Sequence, residues 1–464
     1  MTAVKTAKRD FTEGSLFFRI LLFTVPITAG GLLQMLYNTA DNIVVGRYSG
    51  DELALAAVGC TTALSSLIIN FLIGFASGSS ILIAQRFGAK DEDGVRRATH
   101  TIMAFALVGG LLFSAVGMVI SKPALTLMGT KPELMERAVL YLRIICLGIP
   151  ASSIYNFGAS VIRSVGDSKT PLFILLSTGL LNIGLNVILV TVFSMSVAGV
   201  GIATIISQYV SAFCVVAILL RKKNECFGLK LKMLGFDGEM LRAILRHGFP
   251  AGMQNSLYAI SNVMMSSAVN TLPIAAVSAR TISSNIDQLC HTSLSSFGIA
   301  AVTVIGQNYG AQKPERLRKS ILYLLLQTAV IGIALGQIML LFADSFAAMF
   351  IDSANPNADE ILKYTLQILS ITLATSFLNG TMQTISGAVR GMGYSVSVMV
   401  ATLTGACLFR ILWVLFVFPL EAMNTLSGLF IIFPLSWSAT AVSLAAVAVF
   451  AYLRLKKEKK KDNV

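Results

Sequence analysis

The sequence predicts an all-α protein that crosses a membrane twelve times, as two six-helix lobes related by an internal parallel repeat. Three observations carry this. Of the 464 residues 55% are hydrophobic and only 13% charged. A soluble domain carries about 25% charged residues, so too little polar side chain is left here to cover a water-facing surface. The mean hydropathy is +0.75, and the apolar residues fall in runs long enough to cross a hydrocarbon core of about 30 Å as helices. Finally, short motifs recur half a chain apart.

The apolar runs occupy residues 17–45, 53–84, 99–120, 138–160, 171–193 and 197–220 in the first half. After a polar break come 241–271, 274–305, 321–342, 361–384, 395–419 and 426–453. This divides the chain into an N-terminal lobe (1–220), a cytoplasmic linker (221–239) and a C-terminal lobe (240–464) with a basic tail. Met1 to Asp10 is polar and basic, and the first apolar run is too long for the core of a cleavable signal, so none is expected.

Lysine and arginine collect in alternate loops. Examples are Arg86, Lys90, Arg96 and Arg97 after span 2, Arg163 and Lys169 after span 4, and Arg221, Lys222 and Lys223 after span 6. Lys313, Arg316, Arg318 and Lys319 follow span 8, and the tail from Arg454 is lysine-rich. The opposite loops carry Asp51, Glu52, Asp344, Asp352, Asp359, Glu360 and Glu421. The positive-inside rule then places both termini in the cytoplasm. The net charge of +13 lies in these loops rather than on a soluble basic face, which argues against a nucleic-acid partner. The six cysteines form no CxxC pair and suggest neither a zinc site nor a disulfide frame.

The repeat is direct. Gln85-Arg86-Phe87-Gly88-Ala89 follows span 2, and Gln307-Asn308-Tyr309-Gly310-Ala311 follows span 8. A basic pair comes next in each case, Arg96-Arg97 and Arg318-Lys319. Arg163-Ser164-Val165-Gly166 after span 4 is echoed by Arg390-Gly391-Met392-Gly393 after span 10, and Pro26 with Tyr37 by Pro250 with Tyr258. Halves that run in the same direction build transporters whose site lies near mid-membrane.

The sequence resembles the multidrug and toxic compound extrusion (MATE) family, in its bacterial, DinF-like branch. The similarity runs from Gly14-Ser15 through Pro26, Tyr37-Asn38-Thr39-Ala40-Asp41, Gly46-Arg47 and Ala56-Ala57-Val58-Gly59. It continues through Gly78, Gln85 to Ala89, Arg163 with Gly166 and Asp167, and Gly306 to Gly310, covering nearly the whole chain. Each motif is short; their order, spacing and duplication are what is specific. The resemblance implies two lobes in a V, alternating access to a central cleft, and a multi-pass protein of a bacterial inner membrane.

Charged residues inside a membrane are costly and default to function. Asp41 lies in span 1 on a face shared with Gln34, Tyr37 and Asn38. A lone carboxylate there is expensive to keep ionised unless a proton or a cation comes to it. Asn182 and Asn186 are four apart on span 5, and Thr204 is on span 6. By resemblance these three and Asp41 form the family's cation-coupling site. Asn186 departs from the family pattern, which often has an Asp there; sodium would meet less negative charge, and protonation of Asp41 is the simpler mechanism. Interhelical hydrogen bonding alone also accounts for both asparagines.

In the second lobe Gln254 and Tyr258 share a face of span 7, and Asp287 and His291 are four apart on span 8. With Gln34, Tyr37 and Asn38 they are the candidate substrate contacts. The Asp–His spacing fits a structural ion pair equally well. Arg410 in span 11 reads as nearly the only cation within the spans, balancing Asp287 or snorkelling to the interface. Pro26 fits either a responsive bend in span 1 or a static kink. Methionines such as Met264 and Met265 suit an adaptable cleft or ordinary packing.

These features predict a proton-coupled antiporter that exports small organic cations, with no cofactor beyond H+ (or Na+) as coupling ion. Membrane lipid is its surroundings, and no partner protein is required, so a monomer is expected. An ATP-driven pump lacks its GxxxxGK[ST] loop, and an enzyme lacks a catalytic cluster among His100, His247 and His291. The alternatives are a sodium-coupled version and a flippase for lipid-linked precursors, whose anionic head groups would need several arginines within the spans.

Overall fold

The computed structural model describes residues 10–48, 53–351 and 356–462. Asp51, Glu52 and Asp352 lie outside them. The first half contains α1 (Phe17–Tyr48), α2 (Ala54–Gly88), α3 (Glu92–Leu127), α4 (Pro132–Ser164), α5 (Lys169–Val192) and α6 (Ser196–Arg221). The second contains α7 (Gly238–Val269), α8 (Ile274–Gly310), α9 (Pro314–Leu341), the pair α10 (Ala358–Thr372) and α11 (Ser376–Gly391), α12 (Ser395–Val417) and α13 (Ile432–Asp462). Among the described residues ten helices are long and apolar enough to cross a membrane, and α10 with α11 makes an eleventh, bent by 44°. With α7, these are the twelve expected spans.

Hydropathy mislocates the helix ends because helices stop at caps, not where lipid does. The third span was expected from residue 99, yet α3 starts at Glu92. Asp91 sets that start by accepting from the Gly94 N–H at 2.8 Å. Prolines open α4 and α9 at Pro132 and Pro314, where their missing N–H costs nothing. The expected continuous span at 361–384 is broken instead, resuming at Ser376 and ending at Gly391.

The repeated motifs fold into the same turns. Lys90 and Gln312, one residue past each Gly-Ala, both take positive φ (59° and 54°). Asp91 N–H donates to the Arg86 carbonyl at 3.0 Å, as Lys313 N–H does to that of Asn308 at 3.2 Å. Gly166 and Gly393 match likewise, at φ of 86° and 93°. A side chain costs about 1–2 kcal/mol in the left-handed region. Gln312 is exposed, so Gln312→Gly should stabilise the protein by about 0.5–1 kcal/mol, read as a rise in melting temperature.

By contacts the chain forms two units, one built on Ala29–Gly252 and the other on Phe11–Thr28 with Met253–Val464. The boundaries fall inside α1 and α7, beside Pro26 and Pro250. The division at 220 and 240 follows the repeat; this one follows what the elbow after α2 and the elbow after α8 hold. In unit 1, Arg86 bridges Asp91 (2.6 Å) and Glu239 (2.8 Å), and Arg97 reaches Asp237 at 3.2 Å. In unit 2, the Arg316 Nε donates to the Phe11 carbonyl at 2.8 Å, and the Phe11 N–H donates to Gln307 Oε1 at 2.9 Å.

The Arg86 guanidinium and the Gly94 N–H hold the Asp91 carboxyl below the usual carboxylate range. The Met240 N–H, followed by Arg97, does the same for Asp237. A depressed folded value means stability present above the unfolded value of about 3.9 and lost as pH falls through the folded one. Melting temperature should therefore fall on acidification below about pH 4, and Asp91→Asn should flatten that fall.

In unit 1, α4 packs against α2, α3 and α6, and in unit 2 α11 packs against α8, α9 and α13. The fourth span of each half is thus its hub. Both hubs bury small residues, Gly148, Ser153, Gly158 and Ser160 in α4, and Gly380, Thr384, Ser386 and Gly387 in α11. Without a hydrophobic drive between helices in lipid, close backbone approach and interhelical hydrogen bonds supply the association.

Candidate functional site

Unit 1 gathers a polar cluster between α1 and α5. Asn186, fully buried, donates its Nδ2 N–H to Asp41 Oδ1. The same Nδ2 lies 3.4 Å from Asn182 Oδ1, and Asn182 is itself buried. Asn186 Oδ1 is buried without a hydrogen-bond partner among the described residues. Tyr141 of α4 packs against the valine cluster beneath Asp41. Val44 and Val190, about one turn beyond Asp41 and Asn186, cluster with Val58, Val197 and Val200. The carboxylate therefore sits on an apolar floor, and the Asn186 amide is its hydrogen-bond donor.

Thr204 is not drawn into this cluster; its hydroxyl donates along its own helix to the Val200 carbonyl at 2.9 Å. Tyr37 is 6% exposed, with its OH on the Leu176 carbonyl at 3.3 Å. Its ring occupies the space a Cβ on Gly179 would need. Tyr37 thus fastens α1 to α5, while Gln34 and Asn38 stay exposed, 3.4 Å from each other. Pro26 lies inside α1, as expected.

Unit 2 holds a cavity of about 140 Å³ lined by Arg280, Asp287, His291, Thr372, Phe433 and Trp437, among others. Thr372 donates its hydroxyl to Asp287 Oδ1 at 2.8 Å. Among the described residues no ion pair joins Asp287 to His291. Arg280, two turns earlier on the same helix, lines the cavity together with Asp287.

Arg410 is likewise not nearly alone. Arg280, Arg390 and Arg410 all lie in helices of unit 2. Arg390 donates to Gln254 Oε1 at 2.7 Å, and Gln254 Nε2 donates to Thr402 at 3.1 Å. This fixes Gln254 in the packed interior, 2% exposed. Tyr258 packs nearby, its OH 3.8 Å from the Met382 sulfur. Arg410 does not snorkel; it is 3% exposed, donates from Nε to Ser436 at 3.0 Å, and stacks 4.5 Å from the Phe433 centroid. No cluster of three or more His, Cys, Asp or Glu suited to a metal occurs among the described residues.

The repeat that doubles these turns and hubs also appears in comparison with known proteins. The MatE family model matches twice, over residues 26–188 and 250–415. The chain belongs to the MatE family. Among curated MatE relatives, it is similar to the probable multidrug resistance protein YoeA of Bacillus subtilis, 29% identical over 82% of each chain. It is also similar to the multidrug export protein MepA of Staphylococcus saprophyticus, 24% identical over 96% of this chain and 95% of that one. A crystal structure of a MATE in the bent conformation shares the fold, with a TM-score of 0.85 at 23% identity over 98% of both chains. This MatE protein is thus a multi-pass, all-helical membrane protein.

Proposed function

We propose that this protein is a secondary antiporter that exports organic compounds bearing a cationic group, in exchange for protons, by alternating access. The names of its relatives support multidrug export. The observation that carries the coupling is the Asn186–Asp41 hydrogen bond on a valine floor. Asp41 is an intramembrane carboxylate whose alternatives are to bind a proton or to stay charged at high cost. An antiporter needs one group that can hold either its coupling ion or its cargo's charge.

Sodium would need oxygens turned toward it. Asn186 turns its N–H toward Asp41 instead, which repels a metal cation and leaves the other carboxylate oxygen for a proton. The unpartnered Asn186 Oδ1 favours the sodium reading in one respect, since it supplies a buried oxygen beside the carboxylate. The three unit 2 arginines weaken the charge argument against a flippase. Of these, however, Arg390 is engaged by Gln254.

The test is uptake of a fluorescent organic cation into proteoliposomes under an imposed proton gradient with sodium absent. Gradient-driven uptake is expected. Uptake that begins only when sodium is added would overturn proton coupling and return Asp41, Asn182 and Asn186 to the role of an ion cage. With the N- and C-termini cytoplasmic, as the loop charges indicate, export would run from the basic face outward.

A further inference from the structure

The chain between α6 and α7 is stitched to the start of α3. Phe227 and Leu229 are buried in the unit 1 core. The Lys230 N–H donates to His100 Nε2 at 3.0 Å, and the Asp237 N–H donates to the Thr101 hydroxyl at 3.2 Å. His100 and Thr101 are themselves buried, and they open the apolar run of α3 that begins at residue 99. Both ends of the stretch 231–236 are therefore pinned at the depth where α3 enters the hydrocarbon. Between the pins the chain folds into a single 3₁₀ turn over Leu231–Met233, with the Met233 N–H on the Lys230 carbonyl at 2.9 Å. Such a turn rises only about 2 Å per residue, which keeps the stretch within a headgroup layer about 5–8 Å deep.

This stretch turns its apolar side chains outward. Leu231, Met233, Leu234 and Phe236 are 36–62% exposed. Apolar side chains scattered singly over a surface are ordinary, but a contiguous set marks a surface that meets something else. Cations flank the set. Lys230 and Lys232 are exposed, as are Arg242 and Arg246, which share a face of α7 with the exposed Leu245 and Phe249. None of these four cations has an ion-pair partner among the described residues. The acids nearby are already engaged, Asp237 by Arg97 at 3.2 Å and Glu239 by Arg86 at 2.8 Å.

Apolar tips at headgroup depth, beside cations that no carboxylate balances, are complementary to one surface above others. Acyl chains take the tips and lipid phosphates take the cations. We infer that the linker is an interfacial foot, by which unit 1 stands on anionic phospholipid. Leu231, Met233, Leu234 and Phe236 enter the boundary between head groups and acyl chains, and Lys230, Lys232, Arg242 and Arg246 meet the phosphates. Hydropathy does not announce the foot, because the stretch is far too short to read as a span. The foot rests on the membrane fold alone, not on the efflux reading.

The experiment puts a reporter in the foot. Full-length protein carrying Phe236→Trp is placed in nanodiscs of equal phosphatidylcholine and phosphatidylglycerol, with bromine on the acyl chains of one lipid or the other. Bromine quenches tryptophan only at close contact. The unmutated protein, whose tryptophans are Trp413 and Trp437, supplies the background. Both brominated lipids should quench the added tryptophan, and phosphatidylglycerol about fivefold more strongly, the equivalent of about 1 kcal/mol from a cation near the surface. Combining Lys230→Gln, Lys232→Gln, Arg242→Gln and Arg246→Gln in that variant should bring the two lipids to equal quenching. Every side chain changed is exposed, so the variants should melt with the parent. A tryptophan that neither lipid quenches would overturn the foot. Aqueous acrylamide would then tell a linker standing in water, which it quenches, from one covered by protein, which it does not. Equal quenching by the two lipids before the glutamine changes would overturn the assignment to anionic lipid, as would a preference that survives them. Quenching is read without substrate or gradient, so loss of proton-driven uptake leaves the foot standing, and loss of the foot leaves the efflux reading standing.

Discussion

Asp41→Asn should abolish proton-driven efflux, reducing it to the protein-free background, while leaving the protein folded. The substitution is nearly isosteric and keeps an oxygen where Asn186 donates its N–H. The hydrogen bond thus survives in neutral form, and stability should change by no more than about 1 kcal/mol. What is lost is the carboxyl that the proposed mechanism protonates. Tyr37 is committed to packing against Gly179, and the asparagines do not titrate. Purified variant and parent should show the same melting temperature and the same elution profile. Only the parent should concentrate a fluorescent cation under a proton gradient. Parent-like uptake by the variant would move the coupling proton elsewhere, with Asp287 the next acid to test.

Much of the fold was legible because bilayer physics writes it in hydropathy. A helix must be about 20 residues long to cross, and such runs are visible. The repeat was legible because its turns demand particular residues: Gly166 and Gly393 recur where φ is positive. The hubs were not legible. Gly148 and Gly158 in α4, and Gly380 and Gly387 in α11, lower hydropathy without marking an interface. The break before Ser376 likewise leaves no proline or charge to announce it.

The candidate site was legible where polarity and position coincide. Asp41 stands out as the one acid in span 1, and Asn182 and Asn186 as a same-face pair in span 5, and the fold brings them together. Thr204 was carried over by family resemblance alone, and a threonine can satisfy its hydroxyl on its own helix, as this one does. Arg280 was missed because it lies near the start of span 8, where a cation passes for an interfacial one. The signal was present all the same: Arg280 and Asp287 are seven apart, two turns along one helical face. Tyr37 and Gln254 show the limit of residue type alone, since a polar side chain in a span can be cleft or cement.

Gly387→Ala should be among the most damaging single-methyl changes in the protein. A Cβ at Gly387 would overlap the carbonyl oxygen of Gly298 on α8 and lie 3.0 Å from the Ala301 Cβ. The obstacle is backbone, so no rotamer relieves it; α11 and α8 must move apart. That separation would loosen neighbouring contacts of the same kind, since a Cβ at Gly298 would lie 2.8 Å from the Gln383 carbonyl oxygen. It would also strain the Thr328–Thr384 hydroxyl pair, now 2.9 Å apart, which ties α9 to α11. Overpacking a fitted interface costs about 1–3 kcal/mol, and a backbone clash belongs at or above the top of that range. Gly184→Ala is the control. Nothing lies within 4 Å of its Cβ position, so there the helix propensity of alanine should stabilise by up to about 1 kcal/mol. Thermal denaturation in detergent should separate the two by sign: lower for Gly387→Ala, unchanged or higher for Gly184→Ala. If both variants melt with the parent, α11 does not hold unit 2 together through backbone approach, and the hub role assigned to the fourth span of each half fails with it.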